Sequence, residues 1–243
     1  MYMNQFSLKS VKNGITAIVF LVAIAGFSQN KNVFTLKIDS FSAKIKEQKN
    51  PQLIDARGTE EFALNHINGA VNFNLETENY TKYVTALDKS KPVFIYSIGA
   101  GRSGQLAKEL LKNGFSEMHV LQGGIAAWIG SGKPFYTNLK SKLTLIEYNK
   151  IIADNNTVLV DIGSKYCGAC KKVKPVLETI RTEYGANLKI VEIDLEESPQ
   201  VIADLKTVKV FPTLILYKNG KIIFKKEGLG DLKKDVDLAL VNQ

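Results

Sequence analysis

Cysteine is nearly absent from this chain of 243 residues, which contains only Cys167 and Cys170. These two residues can form one internal disulfide with each other and no other. Histidine is as scarce, because His66 and His119 are the only two and lie far from the cysteines in the sequence. A structural zinc site needs four ligands, so this composition disfavours a metal site at the cysteines and predicts none elsewhere.

A long apolar run is also missing. The apolar stretch near the N-terminus, Ile15–Phe27, has about thirteen residues, fewer than the roughly 20 that a membrane-spanning helix needs. Lysines precede this stretch, and Gly26 and Ser28 supply the small residues of a cleavage site. The pattern predicts a signal peptide over residues 1–28, removed after Ser28.

An exported protein works where disulfides persist, and a reduced cysteine pair there must be supplied with electrons. The leader therefore predicts a periplasmic or secreted protein. If the leader were retained, the protein would be anchored to the membrane and face the periplasm. Both cysteines lie far from Ser28, which excludes a lipid-modified cysteine at the mature N-terminus.

The net charge of +8 is carried by scattered lysines interleaved with acidic residues. No basic run with interleaved aromatic residues is present, so the sequence predicts no binding of nucleic acid. Hydrophobic residues make up 45% of the chain and charged residues 23%. This ordinary globular composition is compatible with one large domain or two smaller ones.

The first half of the chain alternates short apolar runs with segments of helical composition, which indicates an α/β sheet. The predicted strands are Gln52–Asp55, Ala70–Phe73, Val93–Tyr96 and Met118–Leu121. The predicted helices are Glu60–Asn65, Tyr80–Leu87, Ser103–Asn113 and Ile125–Ile129. The polar stretch Gly130–Pro134 predicts the end of this unit and a linker.

The second half begins with a capping box at Thr144–Glu147, which predicts the start of a helix. Predicted strands follow at Thr157–Ile162, Leu188–Ile193, Thr213–Tyr217 and Lys221–Lys225. Asn219-Gly220 between the last two is a strong hairpin signal. The second sheet should therefore contain an antiparallel edge as well as parallel strands.

The two cysteines stand between a predicted strand and a helix, in the order Cys167-Gly168-Ala169-Cys170. Such a pair is typical of a thiol-disulfide site, with inert core thiols and half of a zinc site as the alternatives. A thiol attacks a disulfide only as the thiolate, and the start of a helix lowers a cysteine pKa from about 8.5. Cys167 would lie at that start, and Cys170 one turn later would be shielded.

Several segments in order extend this pattern from about Ser141 to the C-terminus, and together they resemble thioredoxin: Val158–Asp161, Tyr166–Lys171, Pro175, Val210–Thr213 and Lys218–Gly220. The resemblance implies that Cys167 is the attacking thiol and Cys170 the resolving thiol. It also implies that Asp161 is a buried carboxylate that moves a proton to and from Cys170. Burial raises the pKa of a carboxyl group toward the range that suits this role.

The same resemblance implies substrate-binding residues. Pro212 would be a cis-proline beside the cysteines, with Val210 and Phe211 leaving backbone groups free for an extended substrate peptide. Gly228 would let a partner approach the site. Without the resemblance, Pro212 could simply be the first residue of an edge strand.

This chain departs from the thioredoxin pattern near the cysteines. Ala169 replaces a proline, Tyr166 a tryptophan, and Gly163-Ser164 an aromatic-small pair. Glu192 stands where the family often has a lysine, which should change the pKa of Asp161. Residues between the cysteines help to set the redox potential, so the direction of electron flow stays open.

Three motifs in the first half resemble the rhodanese domain: Leu53–Arg57 with Glu61-Phe62, Asn65–Asn72, and Leu121–Trp128. The resemblance implies a parallel-sheet α/β domain over residues 31–137, followed by the thioredoxin-like domain over residues 141–243. Rhodaneses carry sulfur as a persulfide on a loop cysteine. Ser97 occupies that position here and cannot hold a persulfide, so this domain should not transfer sulfur by itself.

The loop that begins at Ser97 retains Gly99, Gly101 and Arg102, which could bind a small anion such as sulfate, thiosulfate or phosphate. The alternative is a domain kept for packing or for docking partners. We therefore expect an exported oxidoreductase that reduces protein disulfides, with an electron-donor thiol protein as its other partner. It needs no cofactor beyond the Cys167–Cys170 disulfide. In a second hypothesis, the cysteines accept sulfane sulfur from an anion held at Arg102.

Overall fold

The computed structural model describes residues 32–75 and 80–241. The predicted signal peptide, residues 1–28, lies outside these ranges. Every helix in the described ranges falls short of the length and apolar character that crossing a lipid bilayer requires.

The first domain is built on a sheet of five parallel strands in the order β1-β6-β5-β2-β4. Its elements in chain order are β1 (Asn32–Leu36), α1 (Ile38–Lys46), β2 (Gln52–Asp55), α2 (Thr59–Leu64), β3 (Asn65–Ile67), β4 (Val71–Asn72), α3 (Tyr80–Ala86), β5 (Val93–Tyr96), α4 (Gly101–Lys112), β6 (Glu117–Leu121), α5 (Gly124–Gly130) and β7 (Phe135–Thr137). The central strands are apolar because helices cover both faces of a parallel sheet. This confirms the predicted parallel α/β domain.

Sequence patterns missed four elements of this domain: β1, α1, β3 and β7. Strand β1 lies at the sheet edge, where Val33 and Phe34 remain exposed, so it lacks the buried apolar run of a central strand. Strands β3 and β7 are three residues each and pair only with one another. Such short pairings are decided by tertiary contacts rather than by periodicity.

A buried ion pair holds the carboxyl end of β2 in place. The Arg57 guanidinium binds the Asp55 carboxylate, with Nη2 2.7 Å from Oδ2, and also the side-chain oxygen of Asn65 at 3.2 Å. The Arg57 and Asp55 side chains are fully buried. Burial lowers the Arg57 pKa, but the contributions of Asp55, Tyr96 and Glu61 together outweigh it and the net shift is upward. This network ties Asn65, which follows the last residue of α2, to the end of β2.

The second domain has a mixed sheet of four strands in the order β11-β10-β8-β9, and only the β8–β9 pair is parallel. Its elements are α6 (Leu145–Asp154), β8 (Thr157–Gly163), α7 (Gly168–Tyr184), a 3-10 turn (Gly185–Asn187), β9 (Lys189–Asp194), α8 (Pro199–Leu205), β10 (Thr213–Lys218), β11 (Lys221–Glu227) and α9 (Leu232–Val241). Asn219 and Gly220 both have positive φ, as a type I′ hairpin requires. The predicted mixed sheet is confirmed.

Helix α5 of the first domain packs backbone to backbone against the second domain. A Cβ atom on Gly123 would lie 2.3 Å from the carbonyl oxygen of Lys209, and one on Gly130 would lie 2.2 Å from that of Val208. Only glycine permits these approaches. Around them, one hydrophobic cluster contains side chains of both domains, among them Trp128, Ile129, Val201, Ile202 and Phe211.

The prediction of a linker at Gly130–Pro134 was wrong. Gly130 is the buried last residue of α5, and the Trp128 indole donates a hydrogen bond to the carbonyl oxygen of Pro134 at 2.8 Å. The chain then adds β7 to the first domain before it crosses to α6. Gly130 here serves close packing between the domains rather than flexibility.

We expect Gly130→Val to lower the free energy of unfolding of the whole chain by about 1–3 kcal/mol, the usual cost of overpacking. The valine Cβ would collide with the Val208 backbone and force α5 away from it. Gly104→Val in α4 is the matched control, since a Cβ there meets no atom within 4 Å. Urea denaturation followed by circular dichroism measures both. Equal stability of the two variants would contradict this role of Gly130.

Candidate active site

Cys167 and Cys170 form a disulfide at the start of α7, with their Cα atoms 5.3 Å apart. Cys167 is the N-cap residue, and its sulfur accepts a hydrogen bond from the backbone N–H of Cys170 at 3.1 Å. Because Cys167 caps the N-terminus of α7, a helix of 17 residues, the positive end of the helix dipole faces this sulfur. The sequence-based placement of both cysteines is confirmed.

Two side chains that sequence analysis did not assign to the site hold the loop before Cys167. The Ser164 hydroxyl donates to a carboxylate oxygen of Glu196 at 2.8 Å and accepts from the Tyr166 N–H at 3.1 Å. The other oxygen of Glu196 accepts from the Lys165 N–H at 3.2 Å. The departure from the family pattern at Ser164 was the available signal, but its partner lies 32 residues away.

Burial raises the pKa of Glu196 to about 8, with a further upward contribution from the nearby carboxylate of Asp194. The Glu196 carboxyl group therefore gains or loses its proton within the neutral pH range. Its two acceptor contacts reach the loop that carries Cys167. The charge of Glu196 is thus linked to the loop that carries Cys167.

Asp161 lies on β8 and is buried, and within the described chain its Oδ1 atom has no hydrogen-bond partner. Burial raises the pKa of Asp161, the charge of Glu192 adds to this shift and that of Lys174 opposes it, and the result is a pKa of about 7. The expected influence of Glu192 is thus present and acts upward. Asp161 can therefore accept or release a proton near neutral pH.

A cavity of about 180 Å³ joins Asp161 to Cys170, and Gly163, Lys174 and Glu192 also line it. A Cβ atom on Gly163 would lie 3.1 Å from the Cys170 sulfur. Any side chain at position 163 would therefore crowd this sulfur. The glycine therefore leaves room for water between the Asp161 carboxyl group and the Cys170 sulfur.

The Phe211–Pro212 peptide is cis, as the resemblance to thioredoxin implied. The Val210 carbonyl oxygen accepts a hydrogen bond from the Thr213 hydroxyl at 2.6 Å, and the Gly228 N–H donates to the Pro212 carbonyl at 2.8 Å. Gly228 has a φ of +77°, which favours glycine. The structure thus brings the predicted substrate-binding residues together, while their role stays a prediction.

The first-domain loop from Ser97 is closed by its own contacts. The buried Ser97 hydroxyl donates to the Gly99 carbonyl at 3.0 Å. The Arg102 guanidinium binds the buried Glu61 carboxylate, with Nη2 2.8 Å from Oε1. Gly101 begins α4 and is exposed. Because Arg102 already holds a carboxylate, little of its charge remains for an anion, and anion binding stays a prediction.

This loop lies on the side of the first domain that meets the second. The Ser97 carbonyl accepts from the Ile125 N–H at 2.8 Å, at the end of α5 where Gly123 touches the Lys209 backbone. A second contact between the domains lies next to Cys167, where the Tyr166 hydroxyl is 3.4 Å from the Glu60 carboxylate on α2. Cys167 is only 6% exposed in this arrangement.

The second domain has the fold and the bonded cysteine pair of a thioredoxin-like redox domain. The Thioredoxin family profile matches residues 140–238, and that of the Rhodanese-like domain matches residues 38–131. The chain belongs to the thioredoxin family and carries a rhodanese-like domain before its thioredoxin domain.

Individual relatives match the second domain. Thioredoxin of Mycobacterium tuberculosis is 39% identical over 71 residues, 29% of this chain and 60% of that protein. Thioredoxin of Pyropia yezoensis is 33% identical over 82 residues, 33% of this chain and 76% of that protein. A solved Plasmodium falciparum thioredoxin is 26% identical with a TM-score of 0.35, covering 40% of this chain and 93% of that one. The chain thus spans 60% of the length of the mycobacterial relatives.

We expect Asp161→Asn to stabilise the oxidised protein at pH 8 but not at pH 4. Because folding raises the Asp161 pKa from 3.8 to about 7, the folded state binds more protons than the unfolded state between these values. Stability due to this group is therefore lost as pH rises through that window. Each pKa unit corresponds to about 1.4 kcal/mol, so the gain should be at most a few kcal/mol.

Urea denaturation at a series of pH values measures this effect. Asp204→Asn is the control, because Asp204 is exposed and lies outside the cavity between Asp161 and Cys170. A stability difference between wild type and Asp161→Asn that does not vary with pH would contradict the raised pKa.

Proposed function

We propose that this protein reduces disulfides in other proteins by thiol-disulfide exchange at Cys167. The observation that supports this most directly is the cavity that joins the resolving cysteine, Cys170, to the buried carboxyl group of Asp161. A carboxyl group whose pKa is about 7 can exchange protons with a thiol during catalysis.

The first step uses the reduced pair. The Cys167 thiolate attacks one sulfur of the substrate disulfide, a mixed disulfide forms, and the second substrate sulfur leaves as a thiolate that takes a proton from solvent. The N-terminus of α7 favours the thiolate form because its unpaired N–H groups and dipole present positive charge. Val210, Phe211, Pro212 and Gly228 position the substrate backbone beside Cys167.

The second step releases the substrate. Ionised Asp161 accepts the proton of the Cys170 thiol, and the resulting thiolate attacks the Cys167 sulfur. The mixed disulfide breaks, the Cys167–Cys170 disulfide forms, and the substrate leaves fully reduced with two electrons from the pair. A thiol protein that donates electrons then restores the dithiol.

We further propose that these reactions take place outside the cytosol. The support is the apolar stretch Ile15–Phe27 with its flanking lysines and small residues. The rhodanese-like domain acts in this proposal as a docking module fixed to the redox domain. Sulfur transfer is not part of the proposal, because the Arg102 guanidinium that would hold a sulfur-donor anion is paired with Glu61.

We expect Cys167→Ser to abolish disulfide reduction and Cys170→Ser to trap a substrate as a mixed disulfide. Serine at position 167 removes the attacking sulfur, whereas serine at position 170 leaves the attack intact and blocks its resolution. Insulin reduction measures the first effect, and non-reducing gel electrophoresis after mixing with oxidised insulin measures the second. Trapping by Cys167→Ser instead would reverse the assigned roles.

We expect Asp161→Asn to slow resolution of the mixed disulfide at pH 7 by about 100-fold, the lower range for loss of a general base. The asparagine cannot accept the Cys170 proton. Quenched-flow measurement of mixed-disulfide decay tests this, with Asp204→Asn as the control. The defect should shrink as the pH approaches that at which the thiol ionises unaided. An unchanged decay rate would remove Asp161 from the mechanism.

A further inference from the structure

A cleft of about 520 Å³ lies between the two domains and is walled by both. The rhodanese-like domain contributes Lys37, Asp39 and Gln122, and the thioredoxin domain contributes Lys206, Lys209, Val210 and Glu227. We call these residues the interdomain cleft. Its volume is within the range of ordinary ligand sites.

The interdomain cleft continues the surface proposed to hold the substrate. Val210 lies directly before the cis Phe211–Pro212 peptide in the chain, and Glu227 lies directly before Gly228. The cleft therefore adjoins the surface along which a substrate polypeptide would lie at Val210–Pro212 and Gly228. The neighbouring residues of that polypeptide would then contact the cleft residues of the rhodanese-like domain.

The charges of the interdomain cleft are unbalanced. Asp39 lies 3.5 Å from Lys133, and Glu227 lies 2.8 Å from Lys225, so both carboxylates already have cationic partners. Lys37, Lys206 and Lys209 are exposed, and in the described part of the chain none of them forms an ion pair. The free charge in the cleft is positive, which favours an acidic occupant.

We propose that the interdomain cleft binds an acidic segment of the substrate polypeptide next to its disulfide, so that Lys37 of the rhodanese-like domain helps to select substrates for Cys167. The inference rests on the proposed reductase function. It assigns the rhodanese-like domain a task that needs neither a persulfide nor a free Arg102. Lys37 acts here as a specificity residue, and the chemistry remains in the thioredoxin domain.

The test compares two disulfide-linked peptide pairs that differ only in three residues beside the reactive cysteine, which are glutamate in one and lysine in the other. Each pair carries a fluorophore and a quencher that separate on reduction. Stopped-flow mixing with the reduced full-length protein gives a second-order rate constant for each pair. Two variants are tested, Lys37→Glu alone and Lys37→Glu combined with Lys209→Glu. Lys108→Glu is the control, an equal charge change on the exposed surface of α4, outside the cleft.

We expect wild type to reduce the acidic pair faster and Lys37→Glu to lower that preference about 3-fold, the size expected for exposed charge pairs. The double variant should lower it about 10-fold, and Lys108→Glu should not change it. The preference should also decline in 0.5 M sodium chloride, because salt screens exposed charges.

Equal rates for the two pairs, or a preference that Lys37→Glu leaves unchanged, would overturn the proposed substrate binding in the interdomain cleft. The proposed reductase function would stand in either case. Failure of the reduced wild-type protein to reduce either pair would overturn both proposals. Slowing of both pairs to the same extent by sodium sulfate, with no preference between them, would indicate a site for small anions and would also overturn the assignment to a peptide.

Discussion

The contact between α5 and the Val208–Lys209 backbone is the constraint on which the arrangement of this molecule depends. Gly123 and Gly130 allow two main chains to approach within a distance that any Cβ atom would forbid. The hydrophobic cluster shared by the domains closes around that contact. The segment pinned in this way leads directly into Phe211–Pro212, so the redox site and the rhodanese-like domain are parts of one packed unit.

Electrostatics at the redox site follow from burial. Asp161 and Glu196 are both enclosed beside other carboxylates, and both have a pKa raised into the neutral range. One of them shares a cavity with Cys170, and the other binds the loop before Cys167. Two carboxyl groups with a pKa near neutrality thus lie near the cysteine pair.

Particular residues show where sequence reasoning succeeded and where it stopped. The capping box at Thr144, the hairpin at Asn219-Gly220 and the helix start at Cys167 are local features, and the structure confirms each. The stretch Gly130–Pro134 has the composition of a linker, yet it packs tightly, because the reason for its glycine is a backbone distant in sequence. The Ser164–Glu196 bond was missed for the same reason.

Sequence alone determined the two domain types and the Cys167–Cys170 pair, and it predicts that Ser97 stands where a rhodanese has its nucleophile. These features depend on residue identity and short-range spacing, so they can be predicted without knowing any tertiary contact. Tertiary structure decided that Arg102 is paired with Glu61, that Gly163 leaves a cavity beside Cys170, and that both domains wall one cleft. Each of these joins groups separated along the chain, and only packing determines which of them meet.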